Sequence, residues 1–248
     1  MNEAISRKTK KSTLATHFAI NGIVSTDKEK IAEAFNIQYA NVGPNMANKF
    51  KGNPEMGKYL KEKNIEPLNL ETVKPGDLHE IIKKMKSKRS KGKDYLTNHI
   101  LKQSSYSLVF PLTYLVNLSI KQNCFPTCWR TTRVIPTLKS QDLDKLNTGN
   151  YRPISLSCVG SKLLEKVVAK QVNKHLEKNG LIPDNQFGFR GKNRGSYLTT
   201  KLLNIATEAI SQGKKVLIGF LDFSKCFDSI PFEGFLTKLK YMGFSSST

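Results

Sequence analysis

The stretch Leu217-Ile218-Gly219-Phe220-Leu221-Asp222-Phe223-Ser224-Lys225-Cys226-Phe227-Asp228 ends an apolar run on an aspartate. A buried carboxylate is costly unless it is paired or bound to a metal. At the mouth of a strand, beside a turn toward a helix, Asp222 can face solvent and hold a hard cation. Mg²⁺ takes oxygen ligands of this kind, usually one or two carboxylates plus substrate phosphates. One carboxylate is not a metal site, and the plainer alternative has Asp222 and Asp228 capping the turn and the helix that follows. A second stretch, Asn150-Tyr151-Arg152-Pro153-Ile154-Ser155-Leu156, sets an arginine beside a short strand. Its forked guanidinium suits a triphosphate, and an exposed arginine with no partner is the alternative. The third, Asn185-Gln186-Phe187-Gly188-Phe189-Arg190, interleaves two aromatics with glycine and a cation. That pattern lets a backbone or base approach closely and stack; the alternative is a turn that packs both phenylalanines into the core.

The charge balance favours a polyanionic partner. Forty Lys+Arg face twenty Asp+Glu over 248 residues, a net charge of +20. Nucleic acid is the commonest partner for such a surplus, because each neutralised phosphate releases counterions; a membrane surface or a ribosomal setting is the rival. No apolar run approaches the roughly 18 residues that span a bilayer, and no apolar segment follows the basic start MNEAISRKTKKS as a secretory signal requires. No helix joins a strong apolar face to a Lys/Arg-rich one, so membrane binding is not expected. Cys124 and Cys128 lack a matching pair at zinc-ligand spacing. With Cys158 and Cys226 they read as reduced thiols of an intracellular protein.

The elements that must position these residues follow from periodicity. Thr26 and Glu29 form a capping box for a helix carrying Ile31, Phe35 and Tyr39, which Gly43-Pro44 ends. Residues 51–76 read as a linker. Leu78, Ile81, Ile82 and Met85 share one face of a second helix, which runs into the basic loop Lys83 to Lys93; that loop is either a solvated turn or a phosphate contact. Residues 98–121 are helical, Cys124-Phe125-Pro126 breaks the pattern, and Arg130 to Leu138 is extended. Ser140 to Asn150 is a polar loop, followed by a short strand at Ile154 to Leu156. Leu163, Leu164, Val167, Val168, Val172 and Leu176 stripe a long helix closed by Gly180. Leu198 to Ile210 forms another, closed by Gly213. The apolar run Val216 to Leu221 predicts a buried strand, and Phe235 to Met242 a last helix with Pro231 in its first turn. This order suits an α+β fold.

Taken in order, NYRPISL, the long helix with Leu163, Leu164 and Glu165, NQFGFR with Ser196, and FLDFSKCFDSI resemble the reverse transcriptases of LINE-type, non-LTR retrotransposons. Upstream, Phe125-Pro126, Trp129, Val134, Pro136 and Lys139 resemble the segment leading into NYRPISL. Gly92-Lys93-Asp94 and Ile100-Leu101-Lys102 resemble the region before it, and Ile23 to Pro44 the connector after an endonuclease. The likeness runs from about residue 20 to about residue 244.

The resemblance implies a partial right-hand polymerase, with fingers and the first part of the palm. Residues 1–64 would be the basic tail, helix and linker of the connector, 65–128 a helical N-terminal extension, and 129–248 the fingers and incomplete palm. It implies DNA synthesis on an RNA template from a DNA primer and deoxynucleoside triphosphates, using paired Mg²⁺ ions. Asp222 is similar to the first metal-binding aspartate, and the Phe223 carbonyl would help hold the nucleotide-side metal. Phe227 takes the place of the bulky residue that excludes a 2′-hydroxyl. Arg152, and with it Lys139, would contact the triphosphate, while Gln186, Gly188 and Arg190 would guide the template. Asp228 reads as structural support. Cys226 departs mildly from the smaller residue usual there. The larger departure is the family's second motif, an aromatic followed by an aspartate pair, which does not occur in this sequence. The chain is therefore expected to be catalytically incomplete by itself, with Val216 to Leu221 left with an unpaired edge. A non-catalytic RNA- or DNA-binding protein gripping through the basic fingers surface is the other reading, and the oligomeric state stays open.

Overall fold

The computed structural model of the chain describes residues 15–47, 65–190, 194–223 and 226–245. Within them the architecture is α+β: helices dominate, with two small antiparallel hairpins. Strands β1 (Phe18–Ile20) and β2 (Ile23–Ser25) turn on Asn21-Gly22, both at positive φ (51° and 82°). That Asn-Gly pair is the sequence signature of a two-residue hairpin turn.

Helix α1 spans Lys28–Ala47. Its cap is Asp27 and not Thr26: the Asp27 carboxylate accepts the Glu29 and Lys30 amides at 2.9 and 3.3 Å. The chain leaves β2 at Ser25, so the residue in the cap position is one further on than the capping-box pattern suggests. Gly43-Pro44 does not end the helix either. Pro44 leaves the Ala40 carbonyl without its usual donor, but Ala40 is exposed and that oxygen can turn to water.

Ile31 and Phe35 on α1 bury themselves against Phe18 and Tyr151. Phe18 meets Phe35 and Tyr151 edge-on at centroid distances of 5.1 and 5.3 Å, the geometry that aromatic quadrupoles favour. Beside this cluster a cavity of about 640 Å³ is lined by Phe18, Ile31, Phe35, Tyr39, Val134 and Pro136 among others. The Tyr39 hydroxyl is buried there with no hydrogen-bond partner among the described residues. Burial and the neighbouring Tyr151 push it up to about 12 from 10.0. The folded state thus holds Tyr39 neutral after the unfolded chain has ionised. That contribution is intact below pH 10 and is lost as pH rises toward 12. Tyr39→Phe removes both the orphan hydroxyl and this titration. Its stability should match or exceed that of the unsubstituted chain at pH 7 and fall less steeply above pH 10, as chemical denaturation at stepped pH would show. An identical alkaline slope would place the tyrosine in water.

The larger core joins α2 (Pro75–Lys84), α4 (Ser105–Lys121) and α6 (Val159–Lys178). Leu78, Ile82 and Leu163 are fully buried, with Val116 and Val167 beside them. The expected stripes on α2 and α6 are the faces that meet. Residues 65–74, part of the expected linker, form an extended strap, while 51–64 lie outside the described residues. The strap is held by two reciprocal amide pairs. Asn117 bonds both backbone groups of Val73 at 2.8 and 2.9 Å, and Gln171 bonds both of Glu71 at 2.8 Å. Side-chain amides can satisfy a donor and an acceptor at once, so a polar segment is fixed without a strand beside it.

Two residues of the Gly92-Lys93-Asp94 motif tie this core to the front of α6. The Asp94 carboxylate accepts the Val159 amide at 2.7 Å, whereas the cap residue Cys158 supplies no side-chain bond to the helix's own amides. A remote cap of this kind contributes about 1 kcal/mol. At Gly92 a β-carbon would come within 2.7 Å of the Ser157 carbonyl oxygen, so only glycine fits.

The remaining elements are α3 (Asn98–Gln103), the single turn α5 (Thr127–Arg130), which the sequence reading did not anticipate, α7 (Arg194–Ser211) and α8 (Phe232–Tyr241). Gly180, Gly213 and Gly243 stand at positive φ just after α6, α7 and α8, as C-terminal caps do. The end of α8 docks on α6 where His175 Nε2 donates to the Met242 carbonyl at 2.7 Å. Val216 to Leu221 is the main correction: it forms no strand, and Leu217 and Leu221 are almost fully exposed. A strand is stable only with partners for its backbone groups, and no other strand among the described residues lies alongside it.

Candidate active site

Strands β3 (Arg133–Leu138) and β4 (Tyr151–Leu156) pair antiparallel, with Thr137 opposite Arg152 and Leu138 opposite Tyr151. Alternation then assigns two faces. One carries Val134, Pro136, Leu138 and Tyr151 toward the aromatic cluster and its cavity. Because Tyr151 is buried at 4% exposure, its neighbour Arg152 must point the other way. The outer face holds Arg133, Ile135, Thr137 and Lys139 on one side and Arg152 and Ile154 on the other.

The hairpin is braced at its loop end. Lys139 and Asn150 extend the ladder through a 2.9 Å backbone bond, and Lys139 Nζ donates to the Gly149 carbonyl at 2.7 Å. The Tyr151 hydroxyl donates to the Lys145 carbonyl at 2.9 Å, and Gln38 on α1 donates to the Thr148 carbonyl at 3.0 Å. So the Asn150-Tyr151-Arg152 motif divides its labour: Asn150 and Tyr151 anchor, and Arg152 is displayed. Arg133, exposed on the same face, joins Lys139 and Arg152 as a third cation. The sequence reading passed it over; period-two counting back from Lys139 would have found it.

The 185–190 turn combines an inward and an outward part. Arg190 grips Glu177 on α6 with Nε and Nη2 at 3.0 and 2.6 Å, and its Nη1 donates to the Pro183 carbonyl at 3.1 Å. Its side chain is only 8% exposed, so its donors are spent on holding the turn. Gln186 Nε2 donates to the Gly188 carbonyl at 3.1 Å. Phe187 lies near Tyr197, with Lys201 Nζ 5.8 Å from the Phe187 ring centroid. Phe189 adopts φ 58°, a conformation few non-glycine residues take and one associated with functional sites. Its ring is almost wholly exposed rather than packed in a core.

That ring stands edge-on to Phe227, with centroids 6.3 Å apart and planes at 90°. The fold therefore brings the Gln186–Arg190 turn together with the segment following Asp222. Asp222 and Phe223 are exposed, and Phe227 and Asp228 lie in a 3-10 turn, Cys226–Ser229, that abuts α1. Ser224 and Lys225 lie outside the described residues. The Asp222 carboxylate and the Phe223 carbonyl are hard oxygen donors, so they suit a share in one Mg²⁺. Among the described residues no three His, Cys, Asp or Glu gather at metal-binding distance.

Residues 139–247 match the family described as reverse transcriptase (RNA-dependent DNA polymerase). That match, and the relatives that follow, make the chain similar to reverse transcriptases of the LINE-type, non-LTR kind. It is 28% identical over 171 residues to the probable RNA-directed DNA polymerase from transposon BS of Drosophila melanogaster, 68% of this chain and 19% of that protein. It is 29% identical over 175 residues to the RNA-directed DNA polymerase from mobile element jockey of Drosophila funebris, 71% of this chain and 18% of that protein. The probable polymerase from transposon X-element of Drosophila melanogaster is 26% identical over 170 residues. The chain thus spans about a fifth of the length of these relatives. No helix among the described residues is long and apolar enough to cross a membrane.

Proposed function

We propose that this chain supplies the nucleotide- and template-facing side of an RNA-directed DNA polymerase. Residues 129–248 act as fingers and the first part of a palm, 65–128 as a helical extension, and 1–64 as a connector. The observation that carries the reading is the outer face of the β3–β4 hairpin, where Arg152, opposite Thr137, is displayed two residues from Lys139, with Arg133 on the same face at the far end of the strand. A triphosphate meets there a guanidinium fork, with the Lys139 cation beside it. Gln186 and Gly188 guide the template strand, Phe189 offers a ring for stacking, and Arg190 positions that turn through Glu177. Phe227, edge-on to Phe189, crowds the sugar and disfavours a 2′-hydroxyl. Asp222 and the Phe223 carbonyl would be the residues of this chain that hold a Mg²⁺, and such an ion would supply charge neutralisation at the nucleotide phosphates. The 248-residue chain lacks the second carboxylate set, so the whole reaction needs carboxylates that it does not contain.

The test is deoxynucleoside triphosphate binding in Mg²⁺, followed by the fluorescence of a labelled analogue. Arg152→Ala should weaken binding roughly tenfold to a hundredfold, the worth of a charge-assisted contact. Unchanged affinity would remove the hairpin from the nucleotide site. If RNA binding persists in that case, the non-catalytic reading takes its place.

A further inference from the structure

Two cysteines flank the open end of the β3–β4 hairpin. Cys128 lies in the single turn α5 ahead of β3, and Cys158 follows β4 as the cap residue of α6. Arg133 pairs with Leu156, so the same register carried outward by two residues sets Thr131 across from Cys158. The sulfur of Cys158 lies where that register puts it, 3.9 Å from the Thr131 carbonyl oxygen and 3.8 Å from that of Cys128. A carbonyl oxygen stands about 3 Å from the β-carbon of its own residue, so the Cys158 sulfur is within about 7 Å of the Cys128 β-carbon. A neighbouring contact holds the two elements together: the Trp129 indole occupies the space that a β-carbon on Gly160 would take.

The two thiols differ in access. Cys128 is exposed, whereas Cys158 is 3% exposed. An accessible thiol that reacts first, poised beside a second that resolves it, is the arrangement of a redox pair. Cys158 gives the amides of the helix it caps no side-chain bond, so turning its sulfur toward Cys128 breaks no cap.

We propose that Cys128 and Cys158 form a disulfide when the chain meets a low-molecular-weight disulfide such as oxidised glutathione. The Cys128 thiolate attacks one glutathione sulfur: a protein–glutathione bond forms, the glutathione disulfide breaks, and one glutathione thiolate leaves and takes up a proton. The Cys158 thiolate then attacks the Cys128 sulfur and expels the second glutathione. The protein loses two electrons and two protons, and the reagent becomes two molecules of reduced glutathione. Bridged β-carbons stand roughly 3.8 Å apart, so closure rotates the Cys158 side chain and draws the one-turn α5 inward. The link encloses all of β3 and β4 and ties together the base of the strands that display Arg152 and Lys139. The inference goes beyond the nucleotide reading and stands without it, because the bond itself is measured.

The test is to treat the full, natively folded chain with oxidised glutathione, block the remaining thiols, and map the products by mass spectrometry without reduction. The four free thiols should fall to two, the mass should drop by two hydrogens, and tryptic peptides 122–130 and 146–162 should emerge joined. Peptide 122–130 also carries Cys124, so variants assign the bond. Cys124→Ser should leave the link intact, and Cys128→Ser, a change at an exposed position, should abolish it. Cys158→Ser should stop the reaction at one glutathione on Cys128, with circular dichroism verifying that the variant folds. The fluorescence of Trp129, the sole tryptophan, should drop on oxidation, because a disulfide quenches an adjacent indole. The oxidised chain should melt roughly 5–10 °C higher and return to its starting value with dithiothreitol. Four thiols left unchanged would overturn the proposal. So would a lasting glutathione adduct on Cys128 of the unsubstituted chain, a bond between Cys124 and Cys128, or a link found solely between separate chains on a non-reducing gel.

Discussion

Primer extension on an RNA template, with Mg²⁺ and deoxynucleoside triphosphates, should yield no product from the 248-residue chain, and Asp222→Ala beside it should look the same. Two-metal transfer needs carboxylates that hold one ion at the attacking hydroxyl and another at the leaving phosphate. Asp222 is a single donor with one backbone carbonyl beside it. From residue 229 to 248 the sequence contains no aspartate, and its one acidic residue there, Glu233, sits in the first turn of α8. Asp228 belongs to the 3-10 turn beside α1. In a longer chain that also supplies an aspartate pair, the same Asp222→Ala change should lower extension about a thousandfold or more, because transition-state charge loses its preorganised partner. Extension by the 248-residue chain that disappears with Asp222→Ala would show that an acidic group already present, Asp228 first among them, completes the site.

Gly160→Leu should be the most damaging substitution distant from the candidate site. Gly160 lies in the first turn of α6, and a β-carbon there would run into the indole of Trp129. Trp129 is not free to swing away: it packs against the main core and meets Phe125 edge-on at 6.4 Å. Alanine at this position gains up to about 1 kcal/mol of helix propensity, so a net loss measures the clash. We expect Gly160→Ala to lose about 1–2 kcal/mol and Gly160→Leu about 3 kcal/mol or more. For a chain of this size the leucine variant should melt roughly 6–12 °C lower. Trp129→Ala removes the obstacle, so the pair should show coupling of about 1–3 kcal/mol in a double-mutant cycle. A melting temperature for Gly160→Leu within about a degree of the unsubstituted chain would mean that the two elements do not touch. The consequence reaches the hairpin, because Trp129 and α6 flank β3 and β4 in the chain.

The amino-acid sequence by itself determined the helices and their buried faces. Leu78, Ile82 and Met85 on α2, and Leu163, Leu164 and Val167 on α6, are read from spacing because a helix has one period and one inward stripe. It also determined which residues could do chemistry, since arginine, aspartate and exposed aromatics keep their character wherever they stand. The Asn21-Gly22 hairpin was legible too, in a turn signal that the helix-centred reading passed over.

Tertiary structure alone decided the partners. Asp94 caps a helix 65 residues away, Tyr151 is an anchor because Phe18 and Phe35 are there to receive it, and Arg190 is spent on Glu177 rather than offered to solvent. None of these follows from spacing, because each depends on which distant group the fold delivers. Val216 to Leu221 is the same lesson in reverse. Its composition is that of a buried strand, yet burial and pairing are properties of neighbours, and with no strand beside it among the described residues the run stays exposed.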